Sequence, residues 1–371
     1  MTRIYDFIVI GAGISGCTFA SNLNKRFPDA SILLIEHGRR YGGRSTTRKS
    51  RRYSHLEFDH GLPSIRLSEN VSKGILTLIS PLIKSNKLLD ISNEILLINE
   101  FSEMERAFVN ERIYRSFPFM INFCEEIINQ SPNPLKINFL FKTLIKSIKF
   151  KNYTWEVQIE KGRFIKSKAL ILSSSLIVHP RCLEILKINS IPLRNAINQG
   201  EDEIVDSVIT QTRKQQYIKR RNYILYVSNF EIVKVLSCRY LQICFSNVIK
   251  YNFNFERIIF QMQSDGSMII ILHCSYINEF IDINIEKILQ SLKLIFINHP
   301  KFLDLFSQAI LIDTMDWRAS QPINNLVPKE LQWSSVSNIG FCGDWIDLYD
   351  GCGCVESAIN SSIRLANLLS F

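Results

Sequence analysis

Residues 7–10, Phe-Ile-Val-Ile, run straight into Gly11, Gly13 and Gly16, and twenty positions after Gly16 an acid, Glu36, closes a second apolar run over 31–35. A short run of branched and aromatic residues has the pattern of a strand buried on both faces, and the residues that follow to Asn24 suit a helix. The glycines fall at the join, where each answers a different steric demand. Gly11 permits the tight turn, Gly13 lets the backbone approach a diphosphate with no side chain in the way, and Gly16 lets the helix lie close on the strand. The first helical turn, with Ile14 and Ser15, then faces the phosphates with free N–H groups and a partial positive charge. Glu36 stands where a carboxylate accepts hydrogen bonds from a ribose diol, and its charge disfavours a 2′-phosphate. This spacing predicts a strand–helix–strand unit that holds a dinucleotide, and so an α/β fold around a parallel sheet.

FAD and NAD share that fingerprint, so the choice between them rests on other segments. After Glu36 come Gly42-Gly43-Arg44 with Ser45, then Asp59-His60-Gly61 with Pro63 and Ser64. Near the other end, residues 339–344 form an apolar run ending in Gly-Asp, and 355–369 have apolar residues at helical spacing. A plain NAD dehydrogenase needs no such return of the chain.

The segments GAGISG, GGRSTT, FDHG, ILHCS around His273, MDWRASQ around Trp317, and GFCGDW followed by DGCGCVESAI occur in this order. Together they resemble the renalase-like FAD-dependent oxidoreductases, relatives of monoamine oxidase within the amine oxidase and glutathione-reductase-type flavoproteins. The resemblance covers both ends of the chain well and the middle poorly. It implies FAD as cofactor, with Gly43 and Ser45 hugging it, Arg44 meeting its phosphates and Asp344 binding the ribityl chain. It further implies that the turn at 350–353 aims the last helix, with Val355, at the pyrimidine end of the flavin. Gly61, Pro63 and Ser64 would lie beside the ring; Ser64 stands where the family often carries an aromatic residue. Trp317 and His273 fall in segments similar to the family's substrate pocket and are the catalytic candidates, with His273 orienting the substrate or taking a proton near neutral pH. A tryptophan and a histidine ending an apolar strand are also ordinary core residues. Arg318 is a weaker candidate for an anionic group, His60 reads as structural, and Trp345, Asp347 and Tyr349 are candidates to border the ring.

A chain of 371 residues exceeds the usual size of a single core. No low-complexity linker divides it, so the expected architecture is interleaved. A Rossmann-type FAD-binding domain, a parallel sheet with an antiparallel meander, takes residues 1–65, 130–190 and 330–371. An α+β substrate domain containing an antiparallel sheet takes 66–129 and 191–329. Strands are expected at 153–159, 163–167 and 169–172, then at 223–228, 241–245, 258–263 and 268–273, with a helix near 285–296.

The nine cysteines are scattered and none falls in a CxxC pair, so neither a disulfide framework nor a metal site is indicated. Cys352 and Cys354 read as small residues of a close turn. The N-terminus enters a strand at once and no apolar run of membrane-spanning length appears, so a cytoplasmic protein without a membrane partner is expected. A net charge of +9 draws on clusters at Arg39, Arg40, Arg44, Arg48, Lys49, Arg51 and Arg52 and at 219–221. No nucleic-acid motif accompanies them, and a positive potential steers an anionic small molecule such as a pyridine dinucleotide. No nucleophile elbow, P-loop or HExxH segment occurs, which removes the commonest hydrolase chemistries.

The expected reaction moves a hydride from a small nitrogen-containing donor, an amine or dihydronicotinamide-type ring, to flavin N5, with reoxidation by O2. The alternatives are a non-catalytic binding protein on the same fold, as the Rab GDP-dissociation inhibitors are, and an NAD(P)H-dependent flavin monooxygenase.

Overall fold

The computed structural model describes residues 3–108, 110–160, 162–234, 236, 238–275, 284–347 and 354–370. The strand Ile4–Ile10 runs parallel to Ile32–Ile35 on one side and to Arg163–Leu172 on the other. Ile137–Leu140 extends this sheet beyond Ile32–Ile35, and Ile339–Phe341 extends it beyond Arg163–Leu172, both in parallel. The near-continuous apolar character of residues 7–10 and 32–35 follows from burial on both faces. The two strands expected at 163–167 and 169–172 are one ten-residue strand. Its first half pairs antiparallel with Thr154–Glu160, the start of the meander, and its second half pairs with Ile339–Phe341. The change of partner along one strand produces the change of sequence character that reads as a break.

Helices cover both faces of this sheet. Ile14–Arg26, Lys73–Lys84 and Ile121–Asn129 share one core with Phe7, Val9, Ile32 and Leu34. On the other face Val205, Val208 and Ile209 of Glu203–Lys214 pack with Ile8, Ile10 and Leu33. Three of these helices lie in segments expected with the substrate domain, so the cores do not follow a division drawn by chain segment. A parallel sheet needs cover on both sides, and amphipathic helices from any part of the chain can supply it.

A second sheet runs in the order Ile310–Pro322, Tyr217–Val227, Met268–Ser275, Phe255–Met262, Tyr240–Phe245, Ile95–Ile98 and Met104–Arg106. It is antiparallel except where Ile95–Ile98 runs parallel to Tyr240–Phe245. Alternate residues go to opposite faces. Tyr223, Leu225, Ile270 and Leu272 pack under helices Ile285–Ile295 and Pro300–Gln308, while Ile224, Ile259, Ile269 and Ile271 meet Leu56 and Phe58.

The strand Glu57–Asp59 is laced to that second face by glutamine side chains. The Asp59 N–H donates to Gln261 Oε1 and Gln261 Nε2 donates to the Asp59 carbonyl, both at 3.0 Å. The Glu57 N–H donates to Gln263 Oε1 at 3.1 Å. The buried Asp59 carboxylate accepts from Arg115 Nη2 at 2.5 Å, from the Met120 N–H at 3.0 Å and from the Thr47 hydroxyl. These bonds fix where the turn at His60 and Gly61 emerges. Among the described residues no helix is long and apolar enough to cross a membrane.

Candidate cofactor and substrate site

Gly11 has φ +108, and a Cβ on it would lie 2.5 Å from Ser173 Oγ. A Cβ on Gly16 would lie 2.1 Å from the Gly11 carbonyl oxygen, so the helix can approach the strand this closely only with glycine there. Gly13 differs: its Cβ would make only ordinary contact, nearest the Gly42 carbonyl oxygen at 3.6 Å, so nothing in the protein itself demands glycine there. Gly13 pairs with Gly42 as an isolated parallel bridge, the Gly42 N–H donates to the Ala12 carbonyl at 2.9 Å, and Gly43 adopts φ +55 beside Gly13. Two glycine segments thus lie backbone to backbone.

The helix Ile14–Arg26 begins at Gly13 with no side-chain acceptor and no acid in its first turn. Ser72, Asp202, Ser246 and Asn284 cap four other helices with side-chain oxygens. The N–H groups at Ile14 and Ser15 are therefore left for an external anion. Glu36 is held in place by the Ala12 N–H on Oε2 at 2.9 Å and the Gly38 N–H on Oε1 at 2.7 Å. Each oxygen keeps a lone pair for a further donor. These residues suit a dinucleotide, because the cradle is glycine where an anion must approach and the helix end is bare.

Arg44 and Asp344, 300 positions apart, form a bidentate pair with both N···O distances 2.6 Å, and Arg44 Nη1 also donates to the Ser320 carbonyl at 2.9 Å. Ser45 is buried and donates to the Gly42 carbonyl at 2.8 Å. The turn at Gly343 and Asp344 is tied to the last helix, Val355–Leu368, through Ser361, whose hydroxyl accepts from the Gly343 N–H at 2.9 Å. At the start of that helix Glu356 accepts from the Ser68 N–H and hydroxyl at 2.5 and 3.0 Å, and Val355 packs on the first core. Trp345 is buried against Gly343, its indole N–H donating to the Cys342 carbonyl at 2.8 Å inside the second core. Asp347 is exposed. Tyr349, Cys352 and the rest of the turn at 350–353 lie outside the described residues.

A Cβ on Gly61 would fall 2.1 Å from the Arg44 carbonyl oxygen and 3.2 Å from the Trp317 ring. Trp317 stacks on His60 with centroids 5.5 Å apart and planes at 23°. In the second sheet Asn222 is opposite His273, and His273 is opposite Arg257, so these three side chains leave the same face. Asn222 Nδ2 donates to the His60 carbonyl at 2.7 Å, which joins the row to the His60 turn. The buried polar atoms around this point that have no hydrogen-bond partner include His60 Nδ1, Asn222 Oδ1, His273 Nε2, Trp317 Nε1 and Arg257 Nε. Buried polar groups are ordinarily paired, so their convergence marks a place prepared for a ligand.

Burial and the nearby Arg48 push the His60 pKa down to about 3. Burial, then Arg257, Arg220 and His60, holds His273 well below its ordinary value. Both shifts favour the neutral imidazole, which favours His273 orienting the substrate over its taking a proton near neutral pH. His60, expected to be structural, belongs to the same cluster. Arg318 does not: it is exposed, pairs with the exposed Glu184 at 3.8 Å, and follows Trp317 by one residue onto the opposite face. The Pro63 carbonyl accepts from Tyr240 Oη at 3.3 Å, and the buried Ser64 donates to Gln242 Oε1 at 3.4 Å. Asn222 and Arg257 were not singled out from the sequence; each lies just before an apolar run, 223–228 and 258–263, that was expected as a strand. Among the described residues no group of three or more His, Cys, Asp or Glu could hold a metal ion.

Residues 9–75 match the NAD(P)-binding Rossmann-like domain family. An uncharacterized protein of Methanocaldococcus jannaschii is 27% identical over 233 residues, 56% of this chain, and the chain spans 57% of that relative's length. Putrescine oxidase bound to putrescine superposes with a TM-score of 0.63 at 12% identity, over 99% of each chain. The CLA-producing fatty acid isomerase from P. acnes gives 0.63 at 10% identity over 100% of both chains. A putative protoporphyrinogen oxidase from Exiguobacterium sp. gives 0.58 at 8% identity, again over 100% of both. The chain therefore has the fold that these three structures share. Within that fold its first segment carries the NAD(P)-binding Rossmann-like unit. An isomerase and oxidases share the architecture, so the reaction is argued from the site.

Proposed function

We propose that this protein is an FAD-dependent oxidoreductase that takes a hydride from a small nitrogen-containing donor, an amine or a dihydronicotinamide-type ring, and is reoxidised by O2. The observation that carries this reading is the bare N-terminus of the helix Ile14–Arg26 at Gly13, backed by Gly42 and Gly43. Gly11 and Gly16 shape that loop, Glu36 holds the adenosine ribose, and Gly43, Arg44 and Ser45 line the diphosphate. Asp344 turns to the ribityl chain, while Gly61, Pro63, Ser64 and Val355 border the ring. When bound, FAD supplies an acceptor for a hydride at N5.

The remaining work falls to the chain's own groups. The N–H groups that open the last helix at Val355 and Glu356 stabilise negative charge on the ring through the helix dipole. Trp317 and His60 form a stacked wall that excludes water. His273, a neutral imidazole, orients the donor through Nε2, and Asn222 Oδ1 accepts from a donor N–H. The dihydronicotinamide branch rests on the renalase resemblance of the segments around Trp317 and His273. A cytoplasmic location is supported by the eight described cysteines, all free thiols.

The purified protein should be yellow, and its flavin should bleach anaerobically with one class among amines, amino acids and dihydronicotinamide isomers, then recover on admission of O2. Trp317→Ala should impair turnover and leave FAD in place; unchanged turnover removes Trp317 from the site. Colourless protein that takes up no FAD favours a non-catalytic binding protein. Rapid bleaching by ordinary NADPH with uncoupled oxygen use favours a monooxygenase.

A further inference from the structure

The face that carries His273 holds more positive charge than its acids balance. Arg48 pairs with Asp313, and Arg220 Nη1 lies 3.5 Å from Glu256 Oε2. Arg257 makes no ion pair or side-chain hydrogen bond among the described residues, and its Nε is buried without a partner. Arg257 sits directly opposite His273, and its charge disfavours protonation of both His273 and Arg220. A guanidinium does not shed its proton to escape this situation, and an unpaired charge partly removed from water is costly.

We propose that Arg257 is the receptor for an oxyanion of the substrate, a carboxylate or a phosphate, with His273 and Asn222 beside it. The proposal deepens the reading above, since it rests on this face being the substrate face. The two parallel N–H groups of a guanidinium match such an anion in a bidentate fork. Asn222 Oδ1 is an acceptor and cannot serve the anion, so it serves the N–H of the same molecule. The site thus selects a donor that carries both a nitrogen and a negative charge. A diammonium cation such as putrescine meets Arg48, Arg220 and Arg257 and is excluded, although an oxidase of that diamine shares the fold.

The test titrates the protein, with and without FAD, with benzoate and with inorganic phosphate against chloride at equal ionic strength, reading Tm. At least one of the two should raise Tm saturably in the wild type, and the tighter one identifies the group. Arg257→Met should weaken that response roughly thirtyfold or more, as for loss of a buried charged partner, and Arg257→Lys should keep part of it. Without anion, Arg257→Met should melt no lower than wild type, because it removes an unpaired charge; Arg318→Met is the control outside the cluster. A wild type that responds to neither anion, an Arg257→Met protein that responds like wild type, or one that melts far lower without anion overturns the proposal. An Arg257-dependent response in a protein that binds no FAD sinks the flavin reading alone. FAD uptake with no anion response sinks the anion site alone.

Discussion

Gly13 and Gly16 look equivalent in the sequence and are not equivalent in space. A methyl group on Gly16 collides with backbone, the Gly11 carbonyl oxygen at 2.1 Å, and nothing flexible can give way. Gly16→Ala should therefore lower stability by roughly 3 kcal/mol or more, or prevent folding, as thermal denaturation would report. A methyl on Gly13 makes only ordinary contact at 3.6 Å. Gly13→Ala should lose about 1 kcal/mol or less, the difference expected at a helix N-cap, yet bind FAD much more weakly; equal FAD affinity contradicts the assigned role. The histidines give a second residue-scale prediction. His60, with its pKa near 3, and His273, also lowered, refuse protons that the unfolded chain accepts below about pH 6.5. Stability should then rise with pH between the folded and unfolded values and fall as pH drops through that window, by about 1.4 kcal/mol per unit for each histidine. His273→Gln should flatten the pH dependence of Tm just below about pH 6.5, the unfolded value; an unchanged slope contradicts a lowered pKa for the buried His273. The glycines were legible in the sequence because their demands are local and steric. Arg257 and Asn222 were not, since what makes them notable is a register across three strands.

At the scale of elements, the short strand Glu57–Asp59 is held by the backbone of Thr47–Lys49 and, on the second sheet, by glutamine side chains. Gln261 satisfies both the N–H and the carbonyl of Asp59. Gln261→Leu leaves two buried backbone groups unpaired and should cost about 2–4 kcal/mol, measured by denaturant unfolding. It should also disturb the His60–Trp317 stack that the strand presents, visible in near-ultraviolet circular dichroism; a variant with wild-type stability and spectrum contradicts this account of the turn. The sequence located four of the seven strands of the second sheet, three of them to within three residues, because their runs are apolar; Ile310–Pro322, Ile95–Ile98 and Met104–Arg106 were not singled out. It divided Arg163–Leu172 in two because that strand changes neighbours midway and its sequence character changes with them.

For the whole molecule the decisive fact is convergence. Arg44 and Asp344, 300 residues apart, meet in a bidentate pair beside the glycine segments, and Ser361 ties the Gly343 turn to the last helix. The motifs at the two ends pointed to this meeting through resemblance; the helices that share the first core did not show in the motifs, because cover for a parallel sheet is recruited from any segment with an apolar face. The most direct measurement is a crystal structure of the protein equilibrated with FAD. The account predicts one FAD per chain, its diphosphate against the N–H groups of Gly13 to Ser15 and its ring between Gly61 and the start of the last helix, with Trp317 and His273 on the substrate side. FAD bound elsewhere, or a protein that takes up none, contradicts it.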